Sequence, residues 1–481
     1  MKYQYAIALL ALASSALHAE ELDMSVARTV SEIAVKAKRA PGAPRYSDVC
    51  FSPRWRRPMN ADDPHDTFRD AKAFHATRFD WVYSNDPVWI AECRKRGYWF
   101  VGTLNTICPD APGKSTREKG RILDKNGKRV AAPGMRGWAN PGYWGCVNSP
   151  DYRTTFLAHG KILIDGGINA IQMDDPDINY AAVKWGGCYC EHCRSKAKKQ
   201  GKTLPKDMMA FQKESTKEFY AFVRKELDKY AGRRIPWSSN NYDGRSGFPY
   251  DLFDYGTAEL PHRSAKPDRL YRKISDEARS GRQQIYTFVS TDASLTRRVI
   301  ATAYACGGHV IVPYDVYNGK EPRIFGKPQE YGDLYGFVRA MTTFLDGFED
   351  AAVSGKGIEE SRYGPALPVQ VGVDNVYAFV RAEPGKADSS VVIHLVDWRE
   401  SPQPFVLTLR KDCFFPGKEI AVTLCVPPQY ERDAHAKASE QDNYSSLRKK
   451  QTVQAAVKGN SIEIPVPPLT PWGIIILDPK Q

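Results

Sequence analysis

Two rhythms of hydrophobic and polar positions divide the chain near residue 360. Upstream, short apolar β-like runs alternate with stretches in which apolar residues recur three and four positions apart, as on one face of a helix. Downstream, alternating β-branched segments are separated by proline, glycine and aspartate. The change of rhythm predicts an α/β region followed by an all-β region.

The upstream rhythm predicts eight strands with helices between them. The strands cover 46–52, 78–83, 99–105, 168–174, 236–241, 253–259, 285–290 and 309–315. Helical patterns occupy about 67–76, 88–96, 151–164, 206–232, 265–280 and 330–346, and Gly232 is a stop signal for the longest. Eight strands alternating with helices favour a (β/α)8 TIM barrel over an open sheet. We predict this barrel over residues 40–360.

The downstream rhythm predicts an all-β, sandwich-like domain over residues 361–481. Its predicted strands lie in 371–382, 389–398, 404–410, 419–426, 451–459, 460–466 and 472–478. A polar insertion at 430–449 is the one downstream stretch with a helical pattern. The accessory domain is expected to pack on the barrel.

The first 19 residues have the pattern of a secretory signal peptide. Lys2 precedes the apolar run 6–13, and small residues follow it. No later apolar run approaches the roughly 18 residues needed to span a bilayer. We therefore expect an exported protein, periplasmic or extracellular, with no stable membrane insertion.

The chain is basic, with a formal net charge of +12. Its basic runs, such as 196–202 and 448–450, are short and scattered among acidic residues, which is typical of a solvated surface. Attraction to sulfated or sialylated glycans is the sharper interpretation. No nucleic-acid partner is expected, because an exported chain without a basic-aromatic motif does not match that class. The sequence does not predict an oligomeric state.

Carboxylates stand at the ends of two predicted barrel strands. Strand 4 ends in Asp174-Asp175, and strand 6 ends in Glu259. Catalytic groups of barrel enzymes lie at the carboxyl ends of the strands, and glycosidic hydrolysis needs two carboxylates in different protonation states. Crowded like charges raise the pKa of one such group. We predict Asp174 or Asp175, together with Glu259, as the catalytic residues.

Other residues at or near the strand ends are candidates for holding a sugar. Hydroxyl groups need polar partners, and the apolar face of a pyranose needs an aromatic ring. The predicted substrate contacts are Asn105, Trp237, Asn241, Asp292 and Asp315. For Asp292 and Asp315 the favoured alternative is an Asx turn at the start of the following loop. A ring of such groups predicts an oligo- or polysaccharide substrate.

Four of the ten cysteines form a metal-ligand pattern. Cys188, Cys190 and Cys193 have the spacing C-x-C-x-x-C, and Cys146 precedes the helix that leads into strand 4. Four thiolates bind Zn²⁺ tetrahedrally and leave no open position for water, so such a zinc is structural. The alternatives are two disulfides or another metal, although cysteines in one tight loop rarely meet disulfide geometry. No organic cofactor is predicted.

A second cysteine pair lies in the downstream region. Cys413 and Cys425 flank a predicted strand pair. In an oxidising compartment they are expected to be able to form a disulfide.

The motifs Cys146-Val-Asn-Ser-Pro-Asp-Tyr-Arg153 and Cys188-Tyr-Cys-Glu-His-Cys193 resemble those of the glycoside hydrolase family 42 β-galactosidases. The resemblance covers about residues 140–195 and implies structural zinc on the four cysteines. Two departures limit it. Asp174-Asp175 replaces the family's Asn-Glu, so Asp175 stands at the acid/base position, and the strand 7 region IYTFVSTD lacks the nucleophilic glutamate. The β-galactosidase mechanism therefore does not carry over whole.

A strand 4 carboxylate paired with a strand 6 carboxylate is instead similar to the α-galactosidase-type barrels of families 27, 31 and 36. Family 29 α-L-fucosidases also use a strand 4 aspartate. This resemblance implies a strand 4 aspartate as nucleophile, Glu259 as acid/base, and retention of configuration. We therefore predict a secreted glycoside hydrolase acting on galactose- or fucose-containing glycans.

Three alternatives stay open. An inverting glycosidase needs its carboxyl groups roughly 6.5–9.5 Å apart rather than about 5–5.5 Å. A catalytically degenerate barrel would bind glycans without cleaving them, an idea motivated by the missing strand 7 glutamate. A catalytic zinc hydrolase is the weakest alternative, because it needs an open metal position.

Overall fold

The computed structural model describes residues 28–53, 66–114, 116–132, 136–137, 141–177, 180, 182–313, 326–358 and 367–480. The predicted signal peptide lies outside these ranges. Within them, every helix is too short or too polar to cross a bilayer.

Eight parallel strands form the barrel in chain order, which confirms the predicted fold. Their bounds are β1 (Cys50–Phe51), β2 (Arg78–Val82), β3 (Trp99–Asn105), β4 (Ala170–Asp174), β5 (Trp237–Asn240), β6 (Tyr255–Leu260), β7 (Gln284–Phe288) and β8 (His309–Val310). Beyond β8, the Val312 N–H donates to the Cys50 carbonyl at 2.8 Å, so the end of the barrel is joined to its beginning. Each predicted strand overlaps an observed one.

The helices begin and end at recognisable signals. Their bounds are α1 (Val30–Ile33), α2 (Thr67–Ala73), α3 (Pro87–Lys95), α4 (Pro150–Asp165), α5 (Glu191–Lys199), α6 (Met208–Ala231), α7 (Pro267–Arg279), α8 (Ala293–Ala305), α9 (Pro328–Ala340) and α10 (Arg432–Gln441). Asp86 caps α3 by accepting hydrogen bonds from two backbone N–H groups. Gly232 ends α6 with a left-handed φ of +65°.

Three helices, α1, α5 and α8, were not predicted. Helix α1 has only four residues, too few to show a helical period. The buried side chains of α5 are only Cys193 and Ala197, so it has no apolar stripe to detect. Residues 299–305 of α8 are all buried, so the second half of this helix shows no alternation of apolar and polar faces.

The downstream region is all-β apart from α10 and short turns, as predicted. Its strands are β9 (Glu349–Ser354), β10 (Val369–Val371), β11 (Val376–Ala382), β12 (Val391–Asp397), β13 (Phe405–Arg410), β14 (Ile420–Val426), β15 (Lys449–Thr452), β16 (Ala456–Lys458), β17 (Ser461–Val466) and β18 (Trp472–Pro479). They form an antiparallel four-stranded sheet in the order β10-β13-β17-β16 and a six-stranded one in the order β15-β14-β18-β12-β11-β9. Strand β9, which precedes residue 361, pairs with β11.

The six-stranded sheet shares a hydrophobic core with the barrel helices. Trp472 of β18 packs edge-on against Phe337 of α9, with ring centroids 5.1 Å apart, and also contacts Tyr304 of α8. Helix α10 packs on α2, and His75 Nε2, just after α2, lies 2.7 Å from His435 Nδ1. The downstream region therefore packs against the barrel at two places.

The predicted disulfide between Cys413 and Cys425 is wrong, because both thiols are free. Cys413 lies in the core between the two sheets, whereas Cys425 lies in the core shared with the barrel. Flanking a strand pair therefore did not bring the two sulfurs together.

Candidate active site

The carboxylate of Asp174, at the end of β4, accepts three hydrogen bonds. Tyr83 Oη donates to Oδ2 at 2.7 Å, and Asn105 Nδ2 donates to the same oxygen at 2.8 Å. Asn240 Nδ2 donates to Oδ1 at 2.9 Å. The donors stand at the carboxyl ends of β2, β3 and β5. Strands on both sides of β4 therefore fix this carboxylate at the mouth of the barrel.

Backbone N–H groups fix the orientation of both amides. Asn105 Oδ1 accepts from the Ile107 N–H at 2.8 Å, and Asn240 Oδ1 accepts from the Tyr242 N–H at 2.9 Å. Because each amide oxygen is already engaged, each Nδ2 must face Asp174. The amides therefore present only donors, which suits a carboxylate rather than a carboxylic acid.

Glu259 reaches the same mouth from β6. Asn240 is paired with Thr257 across the β5–β6 ladder, so the two side chains lie on the same face of the sheet. Glu259 stands two residues beyond Thr257 and shares this face, one layer above Asn240. It is exposed, whereas Asp174 is only 7% exposed. The mouth therefore has a fixed carboxylate at its floor and an accessible one above it.

A third carboxylate, Asp175, turns out of the strand with a left-handed φ of +50°. Its Oδ1 lies 3.3 Å from Tyr242 Oη, and Asp177 Oδ1 lies 3.0 Å from the same oxygen. A phenol has one proton, so it cannot satisfy two ionised carboxylates at once.

Burial, followed by the charges of Asp174 and Asp177, raises the pKa of Asp175 well above its usual range. The hydrogen bond from Tyr242 opposes this rise, and the charge of Glu259 adds to it. Burial also raises the pKa of Asp177. The two groups beside the floor carboxylate are therefore biased toward the neutral acid.

Asp175→Asn is expected to become increasingly stabilising as the pH rises. The folded protein holds a proton on Asp175 that the unfolded chain releases at its ordinary carboxyl pKa, so wild-type stability falls as the pH rises above that value. Asparagine keeps the shape and does not titrate. In thermal unfolding, the Tm of Asp175→Asn should be close to that of the wild type at pH 4 and clearly above it at pH 8. Asp151→Asn, at an exposed position on α4, should show no such growth, and a difference that shrank with pH would contradict the prediction.

Two predicted sugar contacts, Trp237 and Asn241, have buried side chains. Along β5, residues 237 and 239 face the helices, whereas 238 and 240 face the lumen. Trp237 is therefore fully buried, and the guanidinium carbon of Arg224 lies 5.4 Å from the centre of the Trp237 ring. Asn241 is 2% exposed, and its side-chain amide exchanges two hydrogen bonds with Gln284. Both residues support the scaffold.

The other predicted contacts have separate outcomes. Asn105 lies in the mouth, where it binds Asp174. Asp292 caps α8 by accepting a hydrogen bond from the Leu295 N–H at 2.9 Å, so the structure assigns it the local capping role. Asp315 lies outside the described residues.

The sequence did not single out four residues of the site: Tyr83, Asp177, Asn240 and Tyr242. Asn240 precedes the predicted Asn241, and alternation along β5 places only one of them on the lumen face without deciding which. Tyr83 ends a predicted strand and could have been included. Tyr242 gives no such signal, because its position depends on a left-handed φ of +56° after β5.

The four predicted metal ligands form one buried cluster. Cys146, Cys188, Cys190 and Cys193 place their sulfur atoms within 4.8 Å of one another. The Cys146 sulfur lies 3.6 Å from that of Cys190 and 3.5 Å from that of Cys193, far beyond the roughly 2.05 Å of a disulfide bond. All four thiols are free, so the alternative of two disulfides is wrong.

The cluster fits a tetrahedral metal ion. Zn–S bonds of about 2.3 Å give sulfur separations of roughly 3.8 Å, close to the observed ones. Asn148 Nδ2 donates to the Cys193 sulfur at 3.3 Å, and Gln212 Nε2 approaches it at 3.7 Å. Such N–H donors around a sulfur stabilise a ligating thiolate.

Helix α6 links the cluster to the loop that follows β4. Phe211 of α6 packs in the same hydrophobic cluster as the cysteines, and Tyr220 Oη, about two and a half turns along, donates to the Pro176 carbonyl at 2.9 Å. Pro176 lies between Asp175 and Asp177. A rigid cluster therefore supports the loop that carries both acids.

No family model and no curated protein matches this chain, and the resemblance to glycoside hydrolase family 42 stays a prediction. Solved structures do match. The α-L-fucosidase isoenzyme 2 of Paenibacillus thiaminolyticus is 9% identical, with 91% of this chain and 100% of that chain covered and a TM-score of 0.54. A cycloisomaltooligosaccharide glucanotransferase of Paenibacillus sp., complexed with cycloisomaltoheptaose, is 8% identical, with 90% and 85% covered and a TM-score of 0.53. At these identities the likeness concerns the fold, which this chain shares with both over most of its length.

Proposed function

We propose that the protein is a glycoside hydrolase that works through Asp174 and Glu259. The observation that carries this proposal is the carboxylate of Asp174, fixed by three donors at the barrel mouth with the exposed Glu259 above it. A glycosidase needs one carboxylate held ready for the anomeric carbon and a second group that exchanges protons with the leaving oxygen and with water. The fold likeness to two carbohydrate-active proteins is consistent with this proposal.

In the proposed reaction Asp174 is the nucleophile. One of its oxygens bonds to the anomeric carbon while the glycosidic C–O bond breaks and Glu259 gives its proton to the leaving oxygen. Glu259 then takes a proton from water, whose oxygen bonds to the anomeric carbon and releases Asp174. Two displacements retain the configuration. Asp175, biased toward its neutral form, is proposed to donate a hydrogen bond rather than to attack.

The finer parts of the proposal rest on resemblance. Galactosides and fucosides are the proposed substrates, because a strand 4 aspartate with a strand 6 carboxylate is similar to α-galactosidase and α-L-fucosidase barrels. Export to the periplasm or the medium rests on residues 1–19. Zinc is proposed for the four cysteines, where it would be structural, because four thiolates leave no position for substrate or water.

The test is hydrolysis of a panel of aryl glycosides and galactose- or fucose-containing oligosaccharides, with the product anomer followed by proton NMR. Release of the substrate's own anomer is expected. Release of the opposite anomer would replace the retaining mechanism by the inverting one. Binding of panel sugars without turnover, unchanged by Asp174→Asn, would contradict hydrolysis and favour the degenerate glycan-binding barrel.

A further inference from the structure

A second candidate site lies at the opposite end of the barrel from Asp174. A groove of about 880 Å³ runs along the amino ends of β2 and β3 and is closed on one side by the turn that follows α10. Its lining includes Thr77, which precedes β2, Arg78, which begins β2, and Trp99, which begins β3. Tyr444 lines it on the α10 side. Asp174 and Glu259 lie toward the carboxyl ends of β4 and β6, at the other end of the barrel, so the two sites do not overlap.

Six cations line the groove: Arg45, Lys72, Arg78, Arg94, Arg96 and Arg339. Four of them have a carboxylate partner within 4.0 Å, which is Asp48 for Arg45, Glu440 for Lys72, Asp80 for Arg78 and Glu92 for Arg96. Here the fold gathers cations from the loop before β1 and from α2, α3, β2 and α9 on one concave surface, and this gathering is not visible in the sequence.

Two of these cations lack a carboxylate partner among the residues that the structure describes. Arg94 donates to the Tyr98 carbonyl, and Arg339 donates to the Ser47 carbonyl at 3.2 Å. Arg339 Nε is buried without a hydrogen-bond partner in the described part of the chain. Its guanidinium carbon lies 5.1 Å from the ring of Tyr444. Carbonyl contacts leave the positive charge of both side chains uncompensated, so the groove favours an anionic ligand.

An aromatic face lies beside the cations. Trp99 is 37% exposed, which is unusual for so large an apolar side chain, and Tyr98 and Tyr444 also line the groove. Aromatic faces next to guanidinium groups suit a ligand that has both apolar ring faces and acidic substituents. A volume of about 880 Å³ is at the upper end of small-ligand sites, which suits a short oligosaccharide rather than a single ion.

We propose that this groove is a non-catalytic binding site for an anionic glycan segment, one that carries sulfate or carboxylate groups. It would hold a charged chain on the enzyme while the mouth at the other end acts. The site goes beyond the proposed hydrolase function and does not depend on it, because binding in the groove uses none of the residues of the mouth.

The test measures binding of a chondroitin sulfate hexasaccharide to the full chain by titration calorimetry at 50 and 200 mM NaCl. The variant is Arg45→Gln/Lys72→Gln/Arg96→Gln, whose side chains are 64%, 50% and 49% exposed, so the fold should tolerate it. The matched control is Lys198→Gln/Lys199→Gln/Lys229→Gln, which removes equal charge from exposed positions outside the groove. We expect the groove variant to weaken binding by at least about tenfold and the control by less than about twofold. Wild-type binding should also weaken at the higher salt concentration.

Further arms identify the ligand. Trp99→Ala should weaken binding of the hexasaccharide but not of inorganic sulfate, and uncharged cellohexaose should not bind. No binding by the wild type, or equal losses in the groove and control variants, would overturn the proposal. A single-stranded thymidine oligonucleotide that bound as tightly as the hexasaccharide, with Trp99→Ala having no effect, would replace the glycan by a general polyanion. Turnover of an aryl glycoside by the groove variant tests the hydrolase proposal without the groove. Hexasaccharide binding by Asp174→Asn tests the groove without the proposed nucleophile.

Discussion

Asp174→Asn is expected to lower kcat by about 10⁴-fold or more on any glycoside that the wild type cleaves. The substitution removes the atom proposed to bond to the anomeric carbon, and the loss corresponds to about 5 kcal/mol of transition-state stabilisation. Steady-state hydrolysis of the best panel substrate measures it. Asp292→Asn, in the residue that caps α8, is the matched control and should keep kcat within about twofold.

Two further variants separate the roles of the two carboxylates. Asp174→Gly should regain turnover when azide is added, because azide can occupy the space of the missing carboxylate and form a glycosyl azide. Glu259→Gln should lose kcat/KM on natural linkages while keeping much of it on aryl glycosides with acidic phenols, since these leave without a proton, whereas kcat should fall on both because Glu259 also accepts the proton of water. If Asp174→Asn kept full activity with Asp175→Asn inactive, the nucleophile would be Asp175. If Glu259→Gln were fully active on all substrates, the strand 6 assignment would be wrong.

Cys146→Ser is expected to abolish binding of one equivalent of zinc and to lower Tm by roughly 5–10 °C. A serine hydroxyl is a poor zinc ligand, and loss of a structural metal removes free energy that the metal contributes to folding. Metal content of the purified protein, measured by mass spectrometry, and thermal unfolding give the two readouts. The loop that carries Asp175 and Asp177 should loosen as well, because α6 joins it to the cluster.

The control for the cysteine variant is Cys413→Ser, which makes the same substitution at a buried thiol in the sandwich core. It should keep the full metal content whatever its effect on Tm. A wild-type protein that purified without metal and did not gain stability on addition of zinc would contradict the assignment. So would a Cys146→Ser protein that kept its zinc.

The parts of the molecule that follow from repeated patterns were predictable. Eight apolar runs alternating with amphipathic stretches led to the barrel, and C-x-C-x-x-C with one upstream cysteine led to the cluster. The position of Asp174 followed from the rule that chemistry lies at strand ends. Each of these depends on local spacing, which a sequence displays directly.

The parts that depend on the direction of a single side chain were not predictable. Asn240 and Asn241 are chemically identical. Only the direction in which each side chain leaves β5 decides that Asn240 binds Asp174 and Asn241 binds Gln284. Trp237 was predicted as a sugar contact because of its aromatic ring, but its side chain leaves β5 toward the helices and is buried. Tyr242 contacts Asp175 through a left-handed backbone conformation that tyrosine rarely adopts. The groove depends on residues from Gly42 to Tyr444, which no local pattern brings together.

The shared core of barrel and β sheets has a consequence for how this architecture can evolve. Trp472 lies against barrel helices, α1 packs on β9 and β11, and α10 packs on α2, so chain segments from both ends interlock. A cut at residue 360 would leave β9 without its partner strand and α8 and α9 without their cover. The sandwich is therefore not an exchangeable module. Substitutions in it change the barrel's stability, and the two halves must diversify as one inherited unit.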